Sequence, residues 1–134
     1  KTQKIEESEK KYRELVENVN SIITKYDENG NILAINKFGL DFFGYEENEI
    51  VGKKFIETIT PEIESTGRDL TNLMQEVLLR KEMQSSNVNE NIKKNGERVW
   101  VYWTNKPIFD INGNFKGILS VGNDITELKR IQEQ

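Results

Sequence analysis

The sequence predicts an α+β fold: a five-stranded antiparallel sheet with short helices between two groups of strands and a helix at each end. Three observations carry this. Two short β-branched runs flank Asn29-Gly30. Three longer strand-like runs are divided by Asn95-Gly96 and by Asp110 to Asn114. Between the two groups the apolar residues recur at helical spacing.

Each element has a local reason. Residues 1–19 read as an amphipathic helix, because Ile5, Tyr12 and Val19 lie seven apart with Leu15 and Val16 beside them. Ser21 to Asp27 and Ile32 to Ile35 form a hairpin over the Asn-Gly turn. Asn36 to Phe43 is a short helix closed by Gly44, and Glu46 to Gly52 gives a further helical turn. Thr60-Pro61-Glu62 has the order cap, proline, acid, and predicts a helix running to about Lys81. Ile63, Leu70, Leu73, Met74, Val77 and Leu78 would form its apolar stripe. Gln84 to Lys93, Glu97 to Phe109 and Asn114 to Asn123 are the remaining strands, antiparallel because turn residues join them. Asp124 and Glu127 have capping-box spacing and open a last helix. The expected division is an N-terminal helix (1–19), a core (20–124) and an exit helix (125–134). The chain opens on Lys1 and ends within a helical pattern, so covalent neighbours are expected.

Composition excludes several functions. The 134 residues suit one domain with one core. With no Cys and no His, disulfides, thiolate chemistry and imidazole general bases are unavailable. Lys plus Arg number 19 against 23 Asp plus Glu, interspersed, so no basic patch calls for nucleic acid. No apolar run spans a bilayer, and the segment is expected in the cytoplasm without membrane contact. No P-loop, catalytic triad or dinucleotide turn is present, so no catalytic residue and no enzyme activity are expected. Asp27-x-Asn29-Gly30 and Asp110-x-Asn112-Gly113 imitate the start of a Ca²⁺ loop. Position twelve is Phe38 or Val121 instead of Glu, so both are read as turns and no metal site is expected.

DENGNILAIN (27–36), NKFGLDFFGYEENEIVGKKF (36–55), and KNGERVWV with GNDITE in 94–127 together resemble the PAS family. The resemblance covers about Leu15 to Arg130. It implies sheet order 2-1-5-4-3, a concave face roofed by helices, and ligands, where present, between sheet and roof. It also implies a sensory module joined to an output domain, a kinase or a cyclic-dinucleotide enzyme. Haem-binding members use an axial His and photosensory members a Cys; this chain has neither, so His-ligated haem and a cysteinyl-flavin adduct are excluded. Noncovalent flavin or a small metabolite stays open. Met74 and Met83 are read as packing residues.

Strand registers fixed by the same resemblance place Thr24, Tyr26, Asn89, Asn91, Val101, Trp103, Asn105 and Ser120 on the concave face, as candidate pocket residues. A few polar groups in an apolar cup suit a small-molecule site, and equally a core whose polar groups satisfy one another. Trp100 and Tyr102 would face outward and need a cover. The helix with Ile5, Tyr12, Leu15 and Val16 is the candidate, on its own sheet or across a homodimer. Asp124, Thr126 and Glu127 would form the junction relaying a change in the fifth strand to the exit helix. The alternative is a ligand-free dimerisation spacer.

Overall fold

A computed structural model describes residues 20–80 and 83–133. The sheet strands are β1 (Ile22–Tyr26), β2 (Ile32–Ile35), β3 (Ser85–Ile92), β4 (Arg98–Phe109) and β5 (Phe115–Asp124). Helices α1 (Lys37–Phe43), α2 (Glu47–Ile50) and α3 (Leu73–Leu78), with a 3-10 turn at Phe55–Glu57, lie between β2 and β3. Helix α4 (Thr126–Gln132) follows β5. The strands are antiparallel in the order β2-β1-β5-β4-β3, so the last strand lies between the first and fourth. The expected helix with Ile5, Tyr12, Leu15 and Val16 lies outside the described residues.

The core fills the space between sheet and helices. Ile22, Ile32, Phe43, Ile50, Ile59 and Val101 have no exposed surface. Buried Asn36 ties α1 to β1. Its Oδ1 accepts from the backbone N–H of Ile23 and of Gly39, both at 3.0 Å, and its Nδ2 donates to the Ser21 carbonyl. One side chain thus caps a helix and pairs a strand end.

The helix expected from Thr60 does not start there. Residues 62–70 form a small hairpin, with a Glu64 N–H to Arg68 carbonyl bond, a Leu70 N–H to Glu62 carbonyl bond and an Ile63–Asp69 bridge. Turn chemistry outcompetes the helix. Thr66 Oγ1 donates to Glu64, Asp69 accepts from the backbone and hydroxyl of Thr71, and Gly67 closes the turn. Only Leu73–Leu78 is left helical, and Ile63, assigned to the buried stripe, is 48% exposed.

This hairpin covers the open edge of β3. Glu64 Oε2 accepts from the Glu90 N–H at 3.0 Å, and Glu90 Oε1 accepts from the Ser65 N–H at 2.8 Å. Arg68 donates to the Val88 carbonyl, and Ile92 N–H to the Ile59 carbonyl. Side chains here replace a neighbouring strand, which shields the edge from other chains.

Arg98 also donates to Glu90 Oε1, at 2.8 Å. Burial works to raise the Glu90 pKa, but Arg98 and the two Ser65 donors outweigh it and hold the carboxyl below the usual range. A folded-state pKa below the unfolded one gives stability that is present above the ordinary glutamate value of about 4.3 and is lost as pH falls through the folded value. Melting curves of wild type and Glu90→Gln should therefore differ most above about pH 5 and converge as pH falls through the lowered folded value. A constant difference across that range would refute this role for the Glu90 charge.

Candidate functional site

The inward residues of β3, β4 and β5 wall a cavity beneath α3. Its polar wall is Tyr26, Thr60, Asn87, Asn89, Asn105 and Ser120; its apolar wall is Phe55, Leu73, Met74, Val77, Trp103 and Ile118. Asn87 and Val77 are half-buried and form the rim, while the other ten are buried. The empty volume is about 360 Å³, but a water-sized body can be centred in only about 30 Å³ of it.

The asparagines form a directional chain across three strands. Ser120 Oγ donates to Asn105 Oδ1 (2.7 Å), Asn105 Nδ2 to Asn87 Oδ1 (2.6 Å), and Asn87 Nδ2 to Asn89 Oδ1 (2.7 Å). Asn89 Nδ2 donates to Asn91 Oδ1 (3.3 Å), and Asn91 Nδ2 to Thr60 Oγ1 (3.0 Å) and the Ile59 carbonyl (2.9 Å). Trp103 Nε1 also donates to Asn91 Oδ1. Strand alternation aligns these groups, and cross-strand register brings Asn105 opposite both Ser85 and Ser120. Such mutually polarised bonds hold each other's orientation.

Among the described residues the cavity wall is uncharged. Burial pushes the Tyr26 hydroxyl up to about 12 against the opposing effect of its hydrogen bond with Thr24, so it stays neutral. Glu90 is buried but points to the opposite side of β3 from Asn89 and Asn91, toward the hairpin. Among the described residues no group of three or more Asp or Glu is placed to hold a metal ion.

Of the eight sequence-selected pocket residues, Tyr26, Asn89, Trp103, Asn105 and Ser120 line the cavity. Thr24, Asn91 and Val101 do not. Thr24 donates to the Ser120 carbonyl beneath the wall, Asn91 props Trp103, and Val101 is core. Sequence reasoning missed Asn87, although it shares strand parity with Asn89 and Asn91. It also missed Phe55 and Thr60, which reach the cavity from the segment before the hairpin.

The junction after β5 differs from the expected capping box. Asp124 Oδ1 accepts from the Thr126 N–H (2.9 Å) and the Thr126 hydroxyl (2.5 Å). Glu127 instead pairs with Arg130 at 2.9 Å on the exposed face of α4. The cap fails because residue 126 itself carries a hydroxyl that takes the Asp124 carboxylate. Thr126 Oγ1 also accepts from the Trp100 N–H (2.9 Å), and the Ile125 N–H donates to the Trp100 carbonyl (2.8 Å). Lys129 Nζ sits 4.4 Å from the Trp100 ring centroid. The exit helix, assigned no such role in the sequence, thus flanks Trp100. Tyr102 is 42% exposed among the described residues.

A five-stranded antiparallel sheet of this order, cupped under short helices around a cavity, is the architecture of PAS domains. The chain belongs to that family: the PAS fold family model matches residues 10–125. It is 29% identical over 134 residues to the two-component sensor PprA of Pseudomonas aeruginosa, covering 98% of this chain and 14% of that protein. The chain therefore spans about a seventh of that relative. Among solved structures it is similar to the PAS domain of an HTR-like protein from Haloarcula marismortui (TM-score 0.74, 19% identity, covering 92% of this chain and 97% of that one). It is also similar to a PAS domain from a two-component sensor histidine kinase (TM-score 0.70, 12% identity, covering 89% and 97%). No helix among the described residues is long and apolar enough to cross a membrane.

Proposed function

We propose that this PAS domain is the sensory input module of a larger signalling protein. It binds a small molecule in the asparagine-lined cavity and relays occupancy to α4. The observation that supports this most is the clamp at Trp100: the start of α4 is fastened to β4 only three residues from Trp103, which walls the cavity. Gly122 brings β5 into the same unit, since any side chain there would collide with the Trp103 ring and Val101. A shift of β4 against β5 on ligand entry therefore moves Trp100 and the base of α4 together, the two-state element such a relay needs.

The relation to a two-component sensor supports an attached output domain, a kinase or a cyclic-dinucleotide enzyme, in a parent protein at work in the cytoplasm. The domain itself carries no catalysis in this reading, and no nucleic acid or membrane contact. It works without haem or a covalently held flavin.

The second reading is a ligand-free dimerisation spacer. It is favoured by the fact that, among the described residues, every buried side-chain nitrogen and oxygen already has a hydrogen-bond partner. Native mass spectrometry of the protein purified from cells separates the two. A one-to-one small-molecule adduct supports the sensor; a bare chain at dimer mass supports the spacer.

In both readings the partner is a second copy, joined through the N-terminal segment holding Ile5, Tyr12, Leu15 and Val16. Deleting residues 1–18 should convert a dimer to a monomer by light scattering. A truncated chain that remains dimeric would place the interface elsewhere.

A further inference from the structure

From the cavity's donor and acceptor inventory we infer that it takes an uncharged, single-ring ligand carrying an amide or lactam edge. This rests on the ligand-binding reading above and specifies the chemical class for the same site.

Charge comes first. Among the described residues no Asp, Glu, Lys or Arg lines the cavity, and ten of the twelve described wall residues are buried. A ligand carboxylate, phosphate or ammonium would lose its water and gain no counter-ion from the described residues.

Hydrogen-bonding capacity is the second constraint. An asparagine amide offers two N–H donors and two acceptor positions. Asn105 uses one donor on Asn87 and one acceptor on Ser120. Asn87 uses one donor on Asn89 and one acceptor on Asn105. Among the described residues, each therefore keeps one N–H and one acceptor position, on adjoining strands at the wall. Asn89 differs: both its N–H groups are engaged, by the Glu90 carbonyl and Asn91. Two neighbouring donor–acceptor pairs are complementary to a ligand edge that presents a carbonyl beside an N–H. A ligand with acceptors only, or donors only, leaves half of them unmatched, and a buried polar group left unmatched weakens binding.

Size and shape are the third. A water-sized body can be centred in only about 30 Å³ of the cavity, which limits the ligand to a small, thin one. Leu73, Met74 and Val77 on α3 present an apolar ceiling over the amide wall. That arrangement suits one flat ring with polar atoms confined to an edge. The tricyclic ring of a flavin is larger than this space.

The test is a titration of the isotope-labelled chain, followed by nuclear magnetic resonance, at millimolar concentrations of four probes. Nicotinamide and uracil are neutral with the required edge; nicotinate and orotate add a carboxylate to the same rings. The neutral pair should shift the side-chain amide signals of Asn87 and Asn105 and the Trp103 indole signal. The carboxylates should bind at least about tenfold more weakly. Asn105→Leu should abolish the neutral-probe shifts; if that variant does not fold, Asn87→Leu at the half-buried rim gives the same reading. Carboxylates binding as tightly as the neutral pair would overturn the ligand class and leave the ligand-binding reading standing. Silence from all four probes would overturn the class as well, and the ligand-binding reading itself falls only if the purified protein is also bare by native mass.

Discussion

Gly117→Ala is expected to lower the melting temperature by about 10 °C or more. Gly117 has φ 148°, where a side chain costs about 1–3 kcal/mol. A Cβ there would also be driven into the Tyr26 carbonyl oxygen, a backbone atom of the adjoining strand. Tyr26 pairs with Ile118, so relief requires β1 to move from β5 where the cavity wall is made. Each ladder bond lost adds roughly 1 kcal/mol, for about 3 kcal/mol in total, out of the roughly 5–15 kcal/mol such domains possess. At about 4 °C per kcal/mol this gives the stated shift. Gly52→Ala is the control. Gly52 has φ 91° but open space around it, so it carries the backbone strain without the collision. Calorimetry showing equal losses for the two variants would remove the collision as the cause.

The second large effect concerns signalling. Thr126→Val should collapse the ratio of stimulated to basal output in the full-length parent while the domain stays folded. The hydroxyl accepts from the Trp100 N–H and donates to Asp124, and valine keeps its shape while removing both bonds. One lost bond of about 1.4 kcal/mol shifts a two-state balance about tenfold. Asp124→Ala should act in the same direction more weakly, because it leaves the Trp100 bond in place. Glu127→Ala should be silent, since among the described residues its carboxylate meets only exposed Arg130. Equal responses from Thr126→Val and Glu127→Ala would make the junction a simple connector.

Much of this was legible in the sequence, and the reasons are physical. Alternation within β1, β4 and β5 groups Tyr26, Trp103, Asn105 and Ser120 on one face each, but which face points inward came from the family resemblance. The sheet order needed the family resemblance, because strand pairing between β1 and β5 is 96 residues apart at Thr24 and leaves no local signal. The segment from Thr60 to Asn72 was misread because Thr-Pro-Glu is a sound helix opening. The competing side-chain bonds of Thr66 and Asp69 depend on a turn that only the folded hairpin supplies. Asn87 was legible by parity alone. Phe55 and Thr60 were not, since they reach the cavity through an irregular segment with no periodicity. Glu127 illustrates the limit of a spacing rule: the motif was present, but a neighbouring hydroxyl and Arg130 took both of its groups.

The most direct test is amide hydrogen exchange on the chain purified with its bound molecule and again after that molecule is stripped by unfolding and refolding. The sensor account predicts faster exchange in the stripped protein both at the cavity strands and at the Trp100 amide, whose N–H is held by Thr126. The change should continue into the first turn of α4. Exchange that changes at Asn87 to Asn91 and Asn105 while Trp100 and α4 stay the same would contradict it, leaving a cavity that binds without signalling.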